Sequence, residues 1–230
     1  MKTIGLIGGM SWESSAEYYR MINEQVKQHL GGLHSAECLM YSVDFEEIER
    51  FQSQGKWQEA GERLADVARS LQKGGAELIV LCTNTMHKVI SSIEEAVSVP
   101  VLHIADATAK EIQVNHLHTV GLLGTKYTME QEFYKERIAE SGIQVLIPEA
   151  EERDIINEVI FDELCLGEIN DSSKVKYRQA IQNLIDRGAE GIILGCTEIG
   201  LLIHEEDAEV PLFDTAKIHV EAAVNQALDN

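Results

Sequence analysis

The sequence predicts an α/β protein of two similar lobes from an internal duplication, each a parallel sheet flanked by helices, with an active site in the cleft between them. Three observations carry this expectation. Short apolar runs alternate with amphipathic segments of helical length, the pattern of a parallel sheet covered on both faces. Two stretches opened by Gly-Ala-Glu, GAELIVLC (75–82) and GAEGIILG (188–195), repeat one another. Three more phrases recur in the same order: KTIGLIGG (2–9) as HTVGLLGT (118–125), EYY (17–19) as EFY (132–134), and VPVLH (99–103) as VPLFD (210–214). In chain order the offsets run 116, 115, 113 and 111. They drift only by small deletions, which marks one unit copied twice.

Taken in order, TIGLIG (3–8) reads as a strand that ends in Gly-Gly. A helix follows over 11–30, with Ser11 as its N-cap. ECLMYSV (37–43) is a second strand, and 57–75 a helix closed by Gly-Gly. ELIVLC (77–82) is the third strand, a helix starts near Thr85, and VPVLHI (99–104) holds a short fourth strand. The second copy places strands within 118–125, 188–195 and 210–214, and the last helix, 216–230, returns to the first lobe. The first lobe is thus 1–105 together with 216–230, and the second is 106–215. Open parallel sheets bind ligands beyond the carboxyl ends of their strands, so two facing lobes would offer chemistry from two sides of one substrate.

Composition narrows the partners. A formal charge of −20 over 230 residues argues against a nucleic-acid or anionic-membrane surface, since both demand basic patches. No apolar run reaches membrane-spanning length, and MKTIGLIGG passes into a glycine turn without a signal-peptide pattern. The cysteines at 38, 82, 165 and 196 have neither metal spacing nor a disulfide framework. No P-loop or G-x-G-x-x-G appears. A cytoplasmic protein with free thiols is expected, without metal.

The Gly-Ala-Glu register pairs Cys82 with Gly195, Thr83 with Cys196, Asn84 with Thr197 and Thr85 with Glu198. Side chains alternate along a strand, so Cys82 and Thr83 cannot both face a site while the strand stays regular. Cys82 is expected to point into its lobe and Thr83 to the site. Cys196 lies between a strand and a helix start, where a helix N-terminus is expected to favour its thiolate. Asn84, Thr85 and Thr197 offer donors for a carboxylate, as do Thr125 and Thr128 in the second copy of the glycine turn, where helix capping is the alternative. Glu198 opens a helix, as a cap or a site contact. His87 either packs or tunes the site.

Together GGMSWES (8–14), CTNTMH (82–87), LLGT (122–125) with TM (128–129), and GCTE (195–198) resemble the aspartate/glutamate racemase family. The likeness is nearest its enterobacterial broad-specificity amino-acid racemase branch and covers the whole chain. The resemblance implies two α/β lobes, a homodimer, and racemisation of a small amino acid without pyridoxal phosphate or other cofactor. Two acid–base residues would work on opposite faces of the α-carbon. It also implies that Met10 lines the substrate site and that Cys196 serves the L-enantiomer. Most relatives read Cys-Asn-Thr where this chain reads Cys-Thr-Asn-Thr, so Thr83 stands at the first catalytic cysteine. A hydroxyl is a far weaker acid than a thiol, and faster turnover from L to D is expected. Because enantiomers have an equilibrium constant of one, that asymmetry is confined to kcat and KM separately.

The resemblance further implies basic residues after strand two and near 160–168 in dicarboxylate-specific members. Here VDFEEIERFQ (43–52) and IFDELCLGEI (160–169) are mostly acidic, with Cys165 where a lysine is expected. Gln52, Arg50 and Lys126 remain candidates for the substrate's distal group. The substrate is then aspartate, glutamate, or a neutral polar amino acid such as homoserine. The alternatives are a maleate-isomerase-like cysteine enzyme and a non-catalytic amino-acid binding protein.

Overall fold

A computed structural model describes residues 1–229 of the chain. The chain divides into two compact units: Met1–His103 with the residues from His219 onward, and Ile104–Ile218.

In the first unit the elements run β1 (Ile4–Gly8), α1 (Trp12–Leu30), β2 (Cys38–Ser42), α2 (Phe45–Ser53), α3 (Trp57–Lys73) and β3 (Leu78–Leu81). A 3₁₀ turn (Thr85–Val89) then leads into α4 (Ile90–Glu94) and β4 (Val101–Leu102). The second unit holds α5 (Ile104–Val114), β5 (Thr119–Gly124), α6 (Lys126–Glu130), α7 (Glu132–Ala139), β6 (Gln144–Leu146) and α8 (Ala150–Asp162). It continues with α9 (Asp171–Asp186), β7 (Ile192–Gly195), α10 (Ile199–Leu202) and β8 (Leu212–Asp214). The last helix, α11 (Thr215–Leu228), begins in the second unit, and its residues from His219 on belong to the first.

Both sheets are parallel and four-stranded, and they share one order: β2-β1-β3-β4 and β6-β5-β7-β8. The register repeats as well. Gly5 pairs with Ile79 in the first sheet and Gly121 with Ile192 in the second; Ile79 pairs with Val101 and Ile192 with Leu212. These are the residues that the offsets of 116, 113 and 111 make equivalent. Carried past the strand ends, the offset of 113 makes Thr83 the equivalent of Cys196 in the two copies.

Local chemistry explains the elements. Ser11 caps α1 by accepting from the Ser14 N–H, and the Gly31 N–H closes it on the Lys27 carbonyl. The stripe Leu64, Val67, Ala68 and Leu71 of α3 packs with Ile7, Ile79 and Leu81 in one cluster. The alternate strand residues Leu6, Leu78 and Val80 are also fully buried and point to the opposite sheet face. Each such side chain contributes about 1.5–3 kcal/mol by leaving water. In the second unit Tyr134, Ile138, Ile181 and Leu184 enclose Val120, Leu122 and Ile193, and the buried Tyr177 hydroxyl donates to the Ile156 carbonyl at 3.0 Å.

Two expectations change in detail. The helix expected at Thr85 opens instead as a 3₁₀ turn. The strand expected over 99–104 narrows to Val101–Leu102, because Pro100 has no N–H to give the ladder and only accepts, from Ile79. Among the described residues no helix is long and apolar enough to cross a membrane.

Candidate active site

In the order β2-β1-β3-β4 the chain leaves β1 and β3 toward opposite edges, so the crevice beyond their carboxyl ends is a topological switch point. The loops there carry the candidates of the first unit. After β1, Gly9 adopts φ +94°, and a Cβ on it would lie 2.2 Å from the Val43 carbonyl oxygen, so glycine is required. Its N–H donates to Ser15 Oγ at 2.7 Å, and that hydroxyl donates to the Ser11 carbonyl at 2.8 Å. This turn buries Met10. From α2, an element not foreseen in the sequence, Gln52 turns inward and its Nε2 meets Met86 Sδ at 3.0 Å.

After β3 the ladder ends abruptly. The Cys82 N–H bonds Ile7 O, but the Thr83 N–H folds back on Leu81 O at 2.9 Å. Cys82 is wholly buried, and burial pushes its thiol far above the ordinary range. Thr83 keeps 8% exposure, and Asn84 and Thr85 are buried beside it in the chain. The Thr83 carbonyl accepts from His87 Nδ1 at 2.7 Å. His87 itself is buried with His103 and His219, with ring centroids 4.7 and 5.8 Å away. Nothing in the sequence announced this group, because its members lie far apart in the chain.

The second unit repeats the plan with different chemistry. Gly124 pairs with Gly195 at the strand ends, and a Cβ on Gly195 would come 2.8 Å from Leu123 O, so the two chains run close. Thr125 is the N-cap of α6, accepting from the Thr128 N–H at 3.3 Å, and the two hydroxyls lie 3.2 Å apart. Lys126, considered for the distal group, pairs with Asp154. Arg50 is exposed in the first unit. Thr215 steadies the end of β7 by donating to Leu194 O at 2.8 Å.

Cys196, Thr197 and Glu198 form one hydrogen-bonded group. Cys196 Sγ donates to Glu198 Oε2 at 2.9 Å, and Thr197 Oγ1 donates to the same oxygen at 2.8 Å. Glu198 is 3% exposed and Cys196 8%. The helix N-terminus expected to favour a Cys196 thiolate is opposed by its surroundings. Burial first, then the Glu198 carboxylate and Cys165, hold the Cys196 thiol well above its ordinary range. The following helix, α10, has only four residues, too few to oppose those effects. Glu198 makes no side-chain cap on α10; its carboxylate accepts from the Cys196 thiol and the Thr197 hydroxyl.

Each set can therefore do a distinct thing. The second unit offers a protonated thiol with a carboxylate to receive its proton. The first offers a hydroxyl on a loop whose carbonyl is held by an imidazole. Met10, Gln52, Thr83, Asn84 and Thr85 come together at the carboxyl end of the first sheet, and Thr125, Thr128, Cys196, Thr197 and Glu198 at that of the second. Among the described residues no group of histidine, cysteine and carboxylate side chains is arranged to hold a metal ion.

Comparison with known proteins points one way. Residues 7–223 match the family model of the Asp/Glu/hydantoin racemases. Over 242 aligned residues, covering 98% of both chains, the sequence is 24% identical to the broad-specificity amino-acid racemase RacX of Bacillus subtilis (strain 168). A crystal structure of a Yersinia pestis protein assigned as an Asp/Glu racemase superposes with a TM-score of 0.93 at 54% identity, each chain fully covered. An aspartate racemase homologue from Pyrococcus horikoshii OT3 gives 0.87 at 36% identity, again over both whole chains.

Proposed function

The chain belongs to the Asp/Glu/hydantoin racemase family, and from that premise we propose that it interconverts the enantiomers of a free amino acid by proton transfer at the α-carbon. Cys196 is the base toward the L-enantiomer, and Thr83 delivers or relays a proton on the opposite face. The observation that carries this reading is the 2.9 Å contact from Cys196 Sγ to Glu198 Oε2. A neutral thiol cannot abstract a proton, but this one can pass its own to the carboxylate and become the base. No pyridoxal phosphate is needed for that step. On the other face the Thr83 hydroxyl is a poor base, so turnover from L to D has the larger kcat.

Met10, Gln52, Asn84, Thr85, Thr125, Thr128 and Thr197 bind the substrate in this reading. Their neutral side chains and backbone donors suit an α-carboxylate. For the distal group a neutral polar side chain such as that of homoserine is favoured over a second carboxylate. In support, none of the buried polar residues described is a lysine or arginine, Lys126 is taken up by Asp154, and Gln52 is uncharged. A homodimer in the cytoplasm completes the proposal. Exposed Trp12, Tyr19, Leu33, Met40 and Tyr41 in the first unit give apolar surface for a second copy to cover, and four free cysteines suit a reducing compartment.

The test is α-proton exchange in D₂O followed by NMR, without pyridoxal phosphate, on L-homoserine, L-aspartate, L-glutamate and L-methionine in turn. Exchange is expected with at least one substrate and is expected to vanish in Cys196→Ser. Silence across the panel would shift the weight to a cysteine-dependent isomerase with another substrate or to a binding protein.

A further inference from the structure

Behind Thr83 the first unit buries three histidines and a tyrosine that the proposed chemistry does not use. In a regular α-helix the His87 N–H would bond the Thr83 carbonyl four residues back. In the 3₁₀ turn it bonds Asn84 O instead, at 3.0 Å, and the Thr83 carbonyl receives the imidazole Nδ1 at 2.7 Å. A carbonyl only accepts, so this 2.7 Å contact is made by the tautomer with its proton on Nδ1. The neighbouring ring is fixed by the same logic: His219 Nε2 faces Leu102 O at 3.1 Å and must donate, so its Nδ1 accepts from the Tyr18 hydroxyl at 3.0 Å. His103 follows β4 and packs against His87 at 4.7 Å, tilted by 55°. All four residues are at most 7% exposed. Burial first, then the neighbouring imidazoles, hold His87 well below its usual value against the pull of the Thr83 and Leu102 carbonyls.

We propose that His87 is a positioning residue for Thr83: its Nδ1–H clamps the Thr83 carbonyl, and the His103 and His219 rings pack beside it and limit its rotation. This inference rests on the reading of Thr83 as the second proton-transfer residue. The strand has already ended at Leu81, so no ladder bond fixes the Thr83 carbonyl. The imidazole supplies that fixed point and sets the direction in which the hydroxyl projects. A displacement of about 1 Å at a proton donor costs on the order of 100-fold in rate. His87 never touches the reacting atoms in this arrangement.

Two reactions separate these roles in the full-length protein. Loss of the α-proton from L-homoserine or L-aspartate in D₂O requires the Cys196 step alone, because deuterium can return on the same face. Appearance of the D-enantiomer requires delivery from the Thr83 face as well. Asparagine places its amide N–H near the Nδ1 position and glutamine near Nε2. His87→Asn is therefore expected to keep both reactions near the wild-type rate. His87→Gln is expected to keep exchange while inversion falls by about 10–100-fold. Equal inversion by the two variants, whether high or low, overturns the proposal, as does a parallel loss of exchange and inversion in His87→Gln. A wild-type protein with no Cys196-dependent exchange overturns the racemase reading and this inference together.

Discussion

At Cys196 two anions cannot stand 2.9 Å apart in a buried site, so thiol and carboxylate share one proton and one negative charge. Moving the proton from sulfur to oxygen leaves the net charge of the pair unchanged. The transfer therefore avoids the full cost of creating a new buried ion, the cost that holds the thiol protonated at rest. Thr197 donates to the same carboxylate oxygen and limits how far Glu198 can swing. Replacing the carboxylate by an amide removes the proton acceptor without changing the shape. Glu198→Gln is expected to lower the Cys196-dependent exchange rate by about 10²-fold, with the folded structure retained by circular dichroism. An exchange rate equal to wild type would show that the proton leaves by another route. The sequence reading treated Glu198 as a cap or substrate contact, because nothing in a linear GCTE tells a helix cap from a thiol partner two residues away.

Among the elements, the turn after β1 shows how tightly backbone placement is specified. Gly9 sits at φ +94° with the Val43 backbone against its missing side chain. Gly9→Ala is expected to destabilise the protein by at least about 1 kcal/mol from the left-handed backbone alone, with the clash adding to it. Denaturant titration should show a lower midpoint at unchanged slope, and an unchanged midpoint would mean that the turn relaxes. The duplication was legible because β1, β3, β5 and β7 are buried central strands, whose apolar runs resist drift. Their shared register could be inferred from three offsets and recurs in the hydrogen bonding. The edge elements were less evenly readable. β6 is three residues with Gln144 exposed and has no strong alternating signature, whereas β2 forms at Cys38–Ser42, within the expected 37–43. Helix α2 is hard to read for another reason: it is nine residues long, and its inward face mixes Phe45, Ile48 and Phe51 with the buried Gln52, so a polar residue interrupts the apolar stripe. The histidine group was invisible, since residues 87, 103 and 219 are joined only by folding.

For the whole molecule, buried neutral histidines make stability depend on pH. Burial lowers His219 to about 4, and His87 is also held well below its usual value. An unfolded chain protonates these rings near 6.5 while the folded one refuses. Their contribution is thus complete above about pH 6.5 and is lost as pH falls from there toward 4. For His219 alone the full loss is about 3 kcal/mol. The Asp207 carboxylate belongs to a lower window. Against the cost of its burial, Lys174 and the His204 N–H hold it below its ordinary range, so its contribution fades only at still lower pH. Denaturation midpoints measured from pH 8 to 5 should be flat down to about 6.5 and then decline. A profile level to pH 5 would mean that the rings accept protons without unfolding. The same preference for uncharged groups in buried places reaches beyond folding. Oxidants attack thiolates, and the first step, to sulfenic acid, begins with them. A Cys196 that rests as a buried thiol is shielded from that damage. In the proposed reaction the reactive sulfur would exist only while its proton rests on Glu198, so the base would be exposed to oxidants only during turnover.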